Sequence, residues 1–250
     1  MLADLALLPD TMPAAAAWLL LGASFLTSLM TVTFGIGGGA LLLGILAGVL
    51  PPSALIPVHG VVQLGSNATR AVMFRRHIAR APARSFLVGA AVGAVLGGMV
   101  AVELPAGLLQ AIVGVFLIWT VLATPPRWLR ERAWVTGAVS SFLTMFVGAT
   151  GPFVATYVKA LSLDRNAHTG THAALMTAQH LLKIAVFGIM GFSFGPWLPL
   201  TIGMILSGMA GTFLGRVVLG RMSDHGFHRI LNVVLILIAL RLIWKGLAAG

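Results

Sequence analysis

His59, Gln63, Asn67 and Arg70 stand at spacings i, i+4, i+8 and i+11 in a stretch that is otherwise apolar or small. At 3.6 residues per turn these side chains share one helical face. A second stretch repeats the idea with His172, Gln179, His180 and Lys183 at i, i+7, i+8 and i+11. Arginine and lysine supply fixed positive charge, and asparagine, glutamine and imidazole supply hydrogen-bond donors. Together they are the donor set of a small oxyanion site. The competing reading is hydrogen bonding between helices, with Arg70 reaching along its stem toward water, five residues before Arg75.

Two glycine-rich breaks offer a second kind of anion contact. Gly35-Ile36-Gly37-Gly38-Gly39 and Gly148-Ala149-Thr150-Gly151-Pro152 each precede a short apolar segment. A helix starting at Gly37, Gly38 and Gly39, or at Thr150, Gly151 and Pro152, presents unpaired N–H groups and roughly half an elementary positive charge. Pro152 suits the first helical position, where its missing N–H costs nothing. Close packing through small residues is the alternative use of the same glycines.

Other chemistry finds little support. His172 and His180 are two turns apart, not at the i, i+4 spacing of a helical zinc pair. There is no cysteine. The six acids, Asp4, Asp10, Glu103, Glu131, Asp164 and Asp224, fall in loops or at segment ends. No metal, cofactor or enzymatic activity is therefore expected, nor a carboxylate proton relay or carboxylate sodium site.

The elements that must hold these residues are membrane helices. The chain has 250 residues, 58% hydrophobic and 9% charged, against about 25% charged in a soluble domain. Ten apolar segments are expected at roughly 14–34, 39–50, 55–74, 84–102, 105–123, 133–147, 152–163, 168–191, 197–219 and 228–247. The second segment of each group of five is too short for a simple span, and reads as a glycine-broken helix or hairpin.

The net charge of +10 comes from 16 Lys and Arg against 6 acids. Arg75, Arg76, Arg80 and Arg84, then Arg127, Arg130 and Arg132, then Arg165, then Arg216, Arg221 and Arg229 all fall on one side of the membrane; Arg241 and Lys245 lean the other way. That is the positive-inside pattern, not a nucleic-acid surface, and it predicts cytoplasmic basic loops and both termini outside. Trp18, Trp128, Trp134, Trp197 and Trp244 lie near segment ends, as interface anchors do.

Residues 35–74 align without a gap on 148–187 at an offset of 113: Gly35 on Gly148, Gly38 on Gly151, His59 on His172, Asn67 on His180, Arg70 on Lys183. Beyond that block Gly98 falls on Gly211. Gly93, Gly97, Gly98, Gly203, Ser207, Gly208 and Gly211 read as packing faces. Five segments per half is an odd number, so the halves, 1–124 and 125–250, are expected to be inverted repeats within one transmembrane domain. Inverted repeats with broken helices recur in secondary transporters that bind substrate at the midplane.

The run Phe34-Gly35-Ile36-Gly37-Gly38-Gly39-Ala40-Leu41-Leu42, its degenerate copy at 146–154 and the half-repeat length resemble the sulfite exporter TauE/SafE family over nearly the whole chain. The resemblance implies a bacterial inner-membrane, multi-pass permease for small sulfur-containing anions such as sulfite or organosulfonates, usually outward. The lipid bilayer is its expected surroundings, and a homo-oligomer is compatible with it. An anion channel and a non-transporting membrane scaffold are the competing functional classes.

Overall fold

The computed structural model describes residues 13–34, 37–101, 104–123, 126, 128, 131–218 and 224–248. Of the residues singled out above, Asp4, Asp10, Gly35, Ile36, Glu103, Arg127, Arg130 and Arg221 lie outside them. The described residues are helical, without a strand. In chain order the helices are α1 (Ala14–Phe34), α2 (Gly38–Val49), α3 (Pro52–Met73), α4 (Arg80–Ala101), α5 (Ala106–Leu122), α6 (Ala133–Val147), α7 (Gly151–Ala160), α8 (Arg165–Ile189), α9 (Leu198–Val218) and α10 (Asp224–Ala248). The protein is a polytopic all-α membrane protein. Among the described residues, four stretches are long and apolar enough to cross a bilayer: Ala14–Thr33, Arg80–Ala101, Arg165–Ile189 and Gly195–Val217.

Local chemistry sets the boundaries, and shifts some from the expected ones. Pro51 and Pro52 start α3 three residues early, because proline at N1 gives up no helical hydrogen bond. Asp164 likewise starts α8 at Arg165: its carboxylate accepts from the backbone N–H groups of Asn166 (2.9 Å) and Ala167 (3.0 Å). α2 and α7 have 12 and 10 residues. At about 1.5 Å per residue neither reaches across a hydrocarbon core of about 30 Å.

The helices pair across the two halves: α4 on α6, α1 on α9, α3 on α8, and α5 on α10. Glycines bring α4 and α6 together backbone to backbone. A Cβ on Gly89, Gly93 or Gly97 would strike the carbonyls of Trp134, Ala138 or Phe142. The α1–α9 contact repeats this pattern. Ser207 donates to the Leu21 carbonyl (2.8 Å), and Gly211 and Gly215 face the carbonyls of Phe25 and Leu29. Leu21, Phe25 and Leu29 stand 113 residues before Trp134, Ala138 and Phe142. Their glycine partners differ by 118, Gly93 to Gly211. The packing thus matches Gly211 with Gly93 rather than Gly98, which faces Val186 of α8 and Met190 just beyond it. The connection into α9 is longer than the one into α4, and the alignment slips by five residues there.

Leu20, Leu42, Leu43, Leu46, Leu55, Ile56 and Met145 fill the centre. The outside is apolar as well: Val88, Val92 and Met99 of α4 and Leu206, Phe213 and Val217 of α9 are exposed. Such a continuous apolar exterior suits lipid, not water. Trp18, Trp128, Trp134 and Trp244 are exposed near helix ends, whereas Trp119 stacks inside on Phe153 at 5.0 Å.

Candidate functional site

Two antiparallel helices, α3 and α8, carry the polar stripes, and their pairing turns the stripes toward each other. The two glycine breaks bring the starts of α2 and α7 to the same place. Between them lies a cavity of about 50 Å³. From the first half it is lined by Thr31, Gly37, Gly39, Ala40, His59, Gln63, Asn67 and Arg70. From the second come Gly148, Ala149, Gly151, Pro152, His172, Met176 and His180.

Positive-φ glycines permit the breaks. Gly37 has φ +97° and Gly148 +69°. Each histidine then clamps the adjoining short helix. The His59 Nε2–H donates to the Gly39 carbonyl at 3.0 Å, and the His172 Nε2–H to the Gly151 carbonyl at 3.2 Å. A carbonyl only accepts, so each ring carries a proton on Nε2. The Nδ1 atoms of His59 and His180 are buried without a partner among the described residues. The two rings lie edge to face, 6.2 Å apart.

Along α3 the stripe forms a strap. Asn67 Nδ2 donates to the Gln63 carbonyl (2.8 Å) and to Gln63 Oε1 (3.3 Å). Arg70 donates to Asn67 Oδ1 (2.7 Å) and, through Nε, to the Ser66 carbonyl (3.4 Å). Of the guanidinium's five N–H groups, three are left for the cavity. Arg70 is buried, 3% exposed, and does not snorkel out. Among the described residues no carboxylate approaches it. Burying a cation without a counter-ion costs several kcal/mol, so the arrangement calls for an anion.

Four expected site residues do not line the cavity. Gly38 packs against the Thr27 carbonyl. Thr150 accepts from Gln179 Nε2 (3.1 Å), so this pair braces the second break, as the helix-to-helix reading of the stripe expects. Lys183 is fully buried, with Nζ unpartnered among the described residues, and lies against Gly60 of α3. Gly60 is ten residues from Arg70, about 15 Å along the helix. The two buried cations therefore stand at opposite ends of the polar path.

Thr31 and Met176 line the cavity but were not expected there. A signal for Thr31 exists: Thr27, Ser28 and Thr31 recur as Ser140, Ser141 and Thr144 at the offset of 113. Met176 takes the place of Gln63 in the second half, and its thioether carries no sequence signal of its own.

Beyond the cavity the two ends of the α3–α8 pair differ. Where α3 begins and α8 ends, a separate vestibule of about 280 Å³ is lined by Ile56, Pro57, Met145, Phe187 and Met190 among others. At the arginine-rich end, Phe74 and Ile78 close over Gly170, and the Ala79 N–H donates to Thr171 Oγ1 at 2.9 Å.

The family model described as Sulfite exporter TauE/SafE matches residues 20–242. The chain belongs to the TauE/SafE family. No curated protein and no solved structure matches it. A family of sulfite exporters makes it a multi-pass membrane transporter, and a lipid bilayer and a small anionic substrate fit that family. The matched span contains both glycine breaks and both polar stripes of this TauE/SafE member.

Proposed function

We propose that the chain is a secondary transporter that exports a small sulfur-containing anion, sulfite or an organosulfonate, by alternating access between two inverted repeats, 1–124 and 125–250. It sits in a bacterial inner membrane with both termini outside and the arginine-rich connections in the cytoplasm. The observation that carries the reading is Arg70: a buried cation with free N–H groups, facing a cavity built from both glycine breaks, with no acid among the described residues beside it. The small volume favours the sulfite end of the substrate range. The separate vestibule at one end and the Phe74 closure at the other favour a carrier over a channel.

The energetics suit export. Moving one negative charge outward gains about 2.3 kcal/mol per 100 mV of inside-negative potential. That alone sustains a gradient of roughly fiftyfold. The test is sulfite flux in proteoliposomes at clamped potential. Export should accelerate with inside-negative potential and saturate with concentration. Replacing Asn67 and His180 together by Ala should cut flux at least tenfold, since hydrogen bonds to a charged group contribute about 1.5–3 kcal/mol. Undiminished flux in that variant refutes the site, and current that never saturates refutes the carrier.

A further inference from the structure

A second cavity, on the outer face of the bundle, plays no part in the site above. It is a groove of about 370 Å³ between α1, α2 and α10, walled by Leu19, Ile45, Val49 and Leu242 and edged by Arg241 and Lys245. Arg241, Leu242 and Lys245 stand at i, i+1 and i+4, so both cations border the same groove one turn apart. Glycines on α2 open its floor. A Cβ on Gly44 would press on Ile238, and one on Gly48 would sit 3.5 Å from an Arg241 guanidinium nitrogen. Both cations are exposed, and no acid among the described residues pairs with either.

Their position runs against the charge pattern of the chain. At this end of the bundle the described connections 50–51, 104–105 and 190–197 hold no Lys or Arg. A lone cation near a helix end is satisfied by water. Two cations one turn apart, above an apolar groove that opens sideways, match a ligand with an anionic head and a hydrocarbon tail.

We propose that this groove binds one anionic phospholipid, its phosphate between Arg241 and Lys245 and an acyl chain along Leu19, Ile45 and Leu242. The same short helix serves both sites: Gly39 of α2 lines the central cavity, and Gly44 and Gly48 floor the groove. A bound lipid thus steadies the helix whose first turn lines the central cavity. This inference does not depend on the transport reading.

The experiment is native mass spectrometry of the full chain in mild detergent, with phosphatidylglycerol and phosphatidylcholine offered in equal amounts. One phosphatidylglycerol per chain should survive activation that strips phosphatidylcholine. Retention should fall at least tenfold in R241Q/K245Q, and equally in Gly48→Leu, which keeps both charges and fills the groove. Lys159→Gln, elsewhere on the molecule, should retain the lipid as the wild type does. Equal retention of both lipids by the wild type overturns the proposal. So does unchanged retention in the groove variants, or displacement of the lipid by millimolar inorganic phosphate, which marks a free-anion site. Where R241Q/K245Q does not fold, Gly48→Leu decides the question in the same way.

Discussion

Gly148 is where one added methyl group should matter most. Its φ of +69° and ψ of −33° form a sparsely populated backbone conformation in which a side chain costs about 1–3 kcal/mol. An added Cβ would also lie 3.1 Å from His59 Nδ1 and 3.1 Å from Leu43. Gly148→Ala should lower stability by about 1–3 kcal/mol and slow transport. Gly151, three residues on, would meet only His172 Nε2, at 4.0 Å. Gly151→Ala should leave the melting temperature unchanged. Thermal unfolding in detergent, paired with flux, separates the two. At this scale the sequence was partly readable. His59, Asn67 and Arg70 announced themselves because an ionisable or amide group inside an apolar helix demands a partner. Gln179 carried the same signal and turned out to donate to Thr150 at the second break rather than face the cavity, since side-chain type does not reveal which partner is in reach.

At the scale of elements, two features lend themselves to measurement. The first is the cap of α8. The backbone N–H groups of Ala167 and Asn166 hold the Asp164 carboxyl below the usual carboxylate range. A lowered folded value means that the cap's stabilisation is complete above the unfolded pKa and is lost as pH falls through the folded one. Asp164→Ala should therefore melt lower than wild type at neutral pH, and the gap should close in strong acid. The second is the α4–α6 seam. Gly93→Ala would push the Cβ into the Ala138 carbonyl, and should destabilise by about 1–3 kcal/mol, as overpacking does. Gly22→Ala in α1 meets nothing within 4 Å and should be neutral or stabilising. Chemical unfolding in mixed micelles checks both. The ten helices were legible because apolar runs and proline or aspartate caps mark them. The register of α4 against α9 was not. Glycines recur so densely in both helices that several alignments look equally good, and only the carbonyl each glycine approaches picks out Gly93 for Gly211.

For the molecule as a whole, the two ends of the α3–α8 pair are the point of leverage. The chain has no cysteine, so an engineered pair reports without background. A Cβ on Gly170 would sit 2.9 Å from Phe74 Cβ, slightly closer than the 3.5–4.5 Å of a disulfide. Phe74→Cys with Gly170→Cys should cross-link under mild oxidation and stop transport, and reduction should restore it. Transport that continues through the cross-linked protein would show that this end need not open. The membrane assignment and the convergence of the two stripes were readable from composition and repeat spacing. The difference between the ends was not, because it belongs to a conformation rather than to any residue.

The smallness of the central cavity has a consequence for selectivity. At about 50 Å³ the cavity is well below the roughly 150 Å³ that admits a benzene-sized guest. Under the proposed function, an anion seated there would shed much of its hydration shell. Arg70, Asn67 and the helix starts would then have to replace the lost water contacts, and discrimination among anions would become a contest between dehydration cost and these fixed donors. Ions that hold their water tightly lose that contest unless their oxygens fit the donors already in place.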